Sequence, residues 1–131
     1  MIWVFEDDAD HLELMRLYCA AAGVVEPFRV FRGDWDAGEP SRDAGGTPRL
    51  AIVDSNLAGI DGVAVIRRLR AAFPPELPII FYSSTPLERE QAAALRAGAD
   101  RVVVKNFGAD GLPEVVRHLL AAGTARLPAG P

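Results

Sequence analysis

Five side chains able to hold a hard cation or a phosphoryl group stand at the ends of short apolar runs in this chain. Glu6 and Asp7 follow Ile2–Phe5, and Asp54 follows Leu50-Ala51-Ile52-Val53. Ser83 closes the run from Ile79, and Lys105 follows Val102-Val103-Val104. Adjacent acids repel one another, and a fold tolerates them when they are solvated or share a cation. Carboxylates with open water positions suit Mg²⁺. A carboxylate such as Asp54 can attack a phosphoryl group and form an aspartyl phosphate. A cation beside it would screen the acids from the incoming group, while Lys105 and the Ser83 hydroxyl hold its remaining oxygens. Positioning and charge stabilisation of this kind are the main demands of phosphoryl transfer. Each residue also has a plainer reading. Asp54 can cap a turn, and Glu6-Asp7-Asp8 can form a solvated turn with Asp8 or Asp10 capping the helix that follows.

The five residues act together only if the fold gathers them. Fully apolar runs of four or so residues read as strands covered on both faces. Leu50-Ala51-Ile52-Val53, leading to Asp54, fits that pattern, and Ile2–Phe5, Phe28–Phe31, Ile79–Ser83 and Arg101–Val104 are predicted as the other strands. Helical spacing predicts a helix over 9–22, with Leu14, Leu17, Tyr18 and Ala21 facing the core and Gly23 as its stop. His11, in its first turn, is expected to face solvent, since no second histidine lies at helical spacing. A further helix over 62–72 turns Val63, Ile66 and Leu69 inward and leaves Arg67, Arg68 and Arg70 solvated. Thr85-Pro86-Leu87-Glu88 reads as a capping box that starts a helix running to Ala97 and ending at Gly98. A last helix is expected over 110–122. The segment 33–48 holds four glycines and two prolines, so the helix expected there is degenerate, with Trp35 folded back on the core. Strands and helices therefore alternate. Right-handed crossovers give an α/β fold, a five-stranded parallel sheet of order 2-1-3-4-5 with helices on both faces. Ligand sites in such sheets lie outside the carboxyl ends of the strands. Glu6, Asp7, Asp54, Ser83 and Lys105 all fall on that rim.

Composition sets the outer bounds. The 131 residues suit one domain, expected over 1–123, with a frayed tail at 124–131. A net charge of −4 without a basic stripe argues against a nucleic-acid role. No run reaches membrane-spanning length, and no leader-like pattern opens the chain, so a soluble cytoplasmic protein is expected. The lone cysteine, Cys19, reads as a small buried apolar residue.

The ordered set resembles the response-regulator receiver domain of two-component signalling over nearly the whole chain. It is carried by Glu6-Asp7, Asp54 with Asp61-Gly62 beyond it, Ser83, and Lys105-Asn106-Phe107. The resemblance implies a flavodoxin-like receiver fold in which Asp54 accepts a phosphoryl group from a histidine kinase or histidine phosphotransfer protein. It implies Mg²⁺ held by Asp7, Asp54 and the Asn56 backbone carbonyl, with Glu6 helping through water, and phosphoryl contacts from Ser83 and Lys105. Asn56 and Thr85 fall where such domains vary the lifetime of the phosphate. The domain would not be an enzyme in the ordinary sense but would promote its own phosphotransfer and slow autodephosphorylation, then act on an unknown downstream protein. The chain departs from the family pattern at Ala58 and Asn106, where prolines are usual, at Val102, where an aromatic is usual, and in its second helix. These departures support a rival reading, an atypical receiver acting as a phosphorylation-independent interaction module. An aspartyl-phosphate hydrolase is disfavoured because Asn56 stands where such enzymes carry a second acid. A cis bond before Asn106 would cost about 2.5–4 kcal/mol, so Lys105-Asn106 is expected to be trans.

Overall fold

The fold is known from a computed structural model, which describes residues 1–32, 48–57, 59–84, 87–105 and 111–122, with only the backbone of Asn56. The degenerate second helix, Trp35, Thr85, the Lys105-Asn106 peptide and the tail all lie outside the described residues. Within them the order is β1 (Ile2–Phe5), α1 (Ala9–Ala21), β2 (Phe28–Phe31), β3 (Leu50–Asp54), β4 (Asn56–Leu57), β5 (Ile60–Asp61), α2 (Gly62–Ala72), β6 (Ile79–Ser83), α3 (Glu88–Ala97), β7 (Arg101–Val104) and α4 (Leu112–Ala122). The main sheet has five parallel strands in the order β2-β1-β3-β6-β7. Counting only these five, the order is 2-1-3-4-5, as the sequence predicts. The two-residue strands β4 and β5 form a separate antiparallel pair after Asp54.

Side chains alternate between the two faces of a strand, so each strand feeds two cores. Trp3, Phe5, Ala51, Val53, Ile79 and Phe81 pack with Val63, Ile66 and Leu69 of α2 and Ala94 of α3. Ile2, Val4, Leu50, Ile52, Ile80 and Tyr82 pack with α1 and α4. The first core is aromatic: Trp3 meets Phe73 edge-on at 5.2 Å and Phe31 at 5.0 Å, and Phe31 stacks on Phe5 at 4.7 Å. Among the described residues no helix is long and apolar enough to cross a membrane.

Three local expectations are corrected. The buried stripe of α1 is Leu12, Met15 and Cys19, while Leu14, Leu17 and Tyr18 are exposed. Both stripes have helical spacing, and the one Asp8 starts in phase with the sheet wins. Arg70 is no solvated residue. Its guanidinium donates to the Gly98 carbonyl at 2.7 and 3.0 Å, to the Leu77 carbonyl at 2.7 Å and to Asp100 at 3.0 Å. Gly98, at φ +121°, leaves room for that side chain, since a Cβ would come within 2.6 Å of it. Finally, α3 starts at Glu88, with Leu87 in the N-cap position and no side-chain capping bond, rather than at the expected Thr85-Pro86 box.

Candidate functional site

The site grows out of the alternation that builds the core. Ile2, Val4 and then Glu6 share one face, as do Ile52 and Asp54, Ile80 and Tyr82, and Val103 and Lys105. Asp54 pairs in register with Tyr82, and Phe5 with Val53, so Glu6, Asp54 and Tyr82 lie in one row across the sheet. Past the last apolar position this face carries charge instead of hydrocarbon, under the start of α1.

Local structure fixes each group. Asp8 caps α1 by accepting from the amides of Asp10 at 2.8 Å and His11 at 3.1 Å. Asp54 is held by its strand, by the Ser55 amide donating to the Tyr82 carbonyl at 3.0 Å, and by the Gly62 amide donating to the Ser55 carbonyl at 3.1 Å. Asp61 caps α2 through the Val63 amide at 3.0 Å. Gly62 lies so close to β3 that a Cβ there would stand 2.2 Å from the Asp54 carbonyl oxygen. The sequence pair Asp61-Gly62 is thus a cap and a close approach that together seat α2 against the end of β3.

One cleft gathers Glu6, Asp7, Asp54, Ser83 and Lys105, together with His11. Carboxylate oxygens of Glu6, Asp7 and Asp54 lie within 4.8 Å of one another. Glu6, Asp54 and Ser83 are buried, whereas Asp7 is exposed. The Lys105 ammonium donates to Asp54 Oδ2 at 3.1 Å and to Glu6 Oε1 at 3.3 Å, and contacts His11 Nδ1 at 3.2 Å. It sits over the Tyr82 ring, 4.9 Å from its centre. The Tyr82 hydroxyl donates to Glu6 Oε1, and the Asp8 amide donates to Glu6 Oε2 at 3.1 Å.

These contacts set the charge. Burial works against ionised Glu6, but hydrogen bonds from Tyr82, Asp54 and the Asp8 amide, with the nearby Lys105, outweigh it and hold its carboxyl below the usual range. Burial, the hydrogen bond with Glu6 and the Glu6 charge push Asp54 up to about 6, against the pull of Lys105. Between the two acids the first negative charge therefore settles on Glu6. Burial and the same carboxylate push the Tyr82 phenol up, so it remains a donor. The cleft fits a small hard cation: Glu6, Asp7 and Asp54 offer clustered carboxylate oxygens with one lysine among them, and Asp7 faces water.

Two residues escaped the sequence reading. His11 lies at the cleft with its side chain one-third exposed, 3.5 Å from Glu6 Oε1, rather than simply facing solvent. Tyr82 hides in an unbroken apolar run and reads there as plain core. The row it shares with Glu6 and Asp54 is the signal that could have found it.

The comparisons agree with this fold. The model of the response regulator receiver domain matches residues 2–117. The chain belongs to that family, the receiver domains of two-component systems. It is 32% identical to the phosphate regulon transcriptional regulatory protein PhoB of Rhizobium meliloti, over 92% of this chain and 58% of that protein. It is 30% identical to the transcriptional regulatory protein PrrA of Mycobacterium leprae, over 91% of this chain and 49% of that protein. The chain thus spans about half the length of these relatives. Among solved structures it is similar to the receiver domain of NtrX from Brucella abortus, with a TM-score of 0.73 and 28% identity over 92% of this chain and 98% of that one.

Proposed function

We propose that this receiver takes a phosphoryl group onto Asp54 from the phospho-histidine of a histidine kinase or phosphotransfer protein. The observation that supports this best is the Lys105 ammonium at 3.1 Å from Asp54 Oδ2, at the end of the central strand and inside the acid cleft. An Asp54 oxygen forms the new bond to phosphorus, the phosphorus–nitrogen bond of the donor breaks, and the freed imidazole nitrogen takes a proton. Asp7, Asp54 and the Asn56 carbonyl would hold Mg²⁺, with Glu6 acting through water. Both Glu6 oxygens already accept hydrogen bonds from the protein, which suits an outer role. Bound Mg²⁺ supplies positive charge that screens the acids from the phosphoryl group. Lys105 exchanges part of its bond to Asp54 for a phosphoryl oxygen, and the Ser83 hydroxyl donates to another. The aspartyl phosphate then acts on a downstream protein target.

Incubation with acetyl phosphate and Mg²⁺, followed by mass spectrometry, tests the reading. One phosphate on Asp54, lost in Asp54→Asn, is expected. Phosphate elsewhere with Asp54 unmodified overturns it. A wild type that takes no phosphate favours a phosphorylation-independent binding module.

A further inference from the structure

We infer that Tyr82 is a positioning residue for phosphoryl transfer: its hydroxyl occupies Glu6 Oε1 and so leaves Lys105 available to Asp54. The inference rests on the reading above and adds a residue to it. Lys105 stands between two buried carboxylates, at 3.1 Å from Asp54 and 3.3 Å from Glu6. The acid it favours decides whether it can meet a phosphoryl group on Asp54. Glu6 is a direct competitor, since its wholly buried carboxylate lies 3.3 Å from the ammonium.

The Tyr82 hydroxyl blunts that competition. It donates to the same Glu6 oxygen that Lys105 reaches, and the Asp8 amide takes the other. A buried carboxylate with its oxygens occupied draws less on a third donor. The ring has a second part, lying beneath the ammonium and holding it at the height of Asp54. Tyr82 is wholly buried with its hydroxyl aimed at the cleft. Its backbone carbonyl also anchors the Ser55 amide beside Asp54. The two functions separate cleanly in Tyr82→Phe, which keeps the ring and the backbone and removes only the hydroxyl.

The test joins Tyr82→Phe with Glu6→Met, which keeps roughly the volume of Glu6 and removes both oxygens. The first readout is the NMR signal of the Lys105 side chain in metal-free, unphosphorylated protein. The second is the rate of phosphorylation by acetyl phosphate. In the Glu6 background Tyr82→Phe should shift the Lys105 signal and slow phosphorylation about threefold to tenfold, the order expected for the net worth of one ordinary hydrogen bond. In the Glu6→Met background it should do neither, because no carboxylate remains to draw Lys105 away. An unmoved Lys105 signal in Tyr82→Phe overturns the inference, whatever happens to the rate. The same change in both backgrounds also overturns it, since the hydroxyl would then act through packing. If the double variant does not fold, the Lys105 signal in Tyr82→Phe alone decides. A wild type that takes no phosphate on Asp54, with the Lys105 pattern as expected, removes the proposed function and leaves the Tyr82 contact standing.

Discussion

The two faces of the sheet are built from the same strands and obey different physics. Toward α2 and α3 the residues Trp3, Phe5, Val53 and Phe81 form a dry aromatic core. Toward α1 and α4 the next residue along each strand starts as Ile2, Val4, Ile52 or Ile80, then ends as Glu6, Asp54, Tyr82 or Lys105. The first face is held by packing, where each lost atom costs. The second is held by neutralisation, where each buried carboxylate costs and only its partners offset it. A receiver therefore places chemistry on one face without weakening the other, and mutations on the two faces should act in opposite directions.

The largest effect should come from the packed face. Trp3→Ala removes a side chain that touches Phe31 and Phe73, and should lower unfolding stability by about 3–5 kcal/mol in denaturant titration. A loss below about 1 kcal/mol would mean that the core refills and that the contrast is overstated. Gly62→Ala comes next. Its methyl would press on the Asp54 carbonyl, a backbone atom that yields only by moving β3 or α2. Overpacking of this kind costs about 1–3 kcal/mol. Because the strain falls on Asp54, phosphorylation should slow as well. A slower reaction without loss of stability, or the reverse, would separate the seating of α2 from the seating of the acid.

On the charged face the sign reverses. Asp54 has its carboxyl raised from 3.8 to about 6, so its contribution to stability is fully present below about pH 4 and is lost as pH rises through about 6. In metal-free buffer Asp54→Asn should leave stability nearly unchanged near pH 4 and raise it at pH 7.5 by about 1–2 kcal/mol, discounted from the full shift because Glu6 moves the other way. Thermal melts at the two pH values check this. A variant less stable than wild type at pH 7.5 would show that the Lys105 ion pair outweighs the burial of the acid. The smallest effect concerns β7. Val102 packs against the aromatic core on the face opposite Tyr82, and it has no ring to turn inward. Beryllofluoride with Mg²⁺ should therefore move NMR signals at Ser83, Ser84 and the first turn of α3 more than those of Val102–Val104. Larger shifts along β7 would show a route across the packed face.

The strands, their order and the rim of the sheet were legible because short apolar runs ending in polar residues admit few arrangements. Asp54, Glu6, Asp7, Ser83 and Lys105 could be placed from strand ends alone. Other features needed the third dimension. Helix α1 carries apolar residues on more than one face, so spacing alone could not distinguish Leu12-Met15-Cys19 from Leu14-Leu17-Tyr18. Arg70 belongs to a run of arginines, and only the approach of Gly98 and Asp100 from distant sequence shows why it is held. Tyr82 reads as hydrocarbon until its row across the sheet is drawn. His11 was judged by the absence of a second histidine, whereas its partners are a lysine and a glutamate from other elements.

The Arg70 clamp gives α3 the mechanics of a lever. Its guanidinium ties the carbonyl of Gly98, just past the helix, to the Leu77 carbonyl and to Asp100, fixing the end away from the cleft. The other end begins at Leu87 without a side-chain cap, a few residues beyond Ser83. The helix has ten residues, an arm of about 15 Å. A tilt of roughly 5° about the pinned end would carry the free end through about 1.3 Å over that length. A movement at Ser83 would be largest at the free end of α3 and fade along the helix toward the fulcrum. Hydrogen exchange should show this asymmetry as faster opening at Glu88–Glu90 than at Leu95–Ala97. Cutting the clamp with Arg70→Met should release the far end and turn a swinging arm into one that merely drifts.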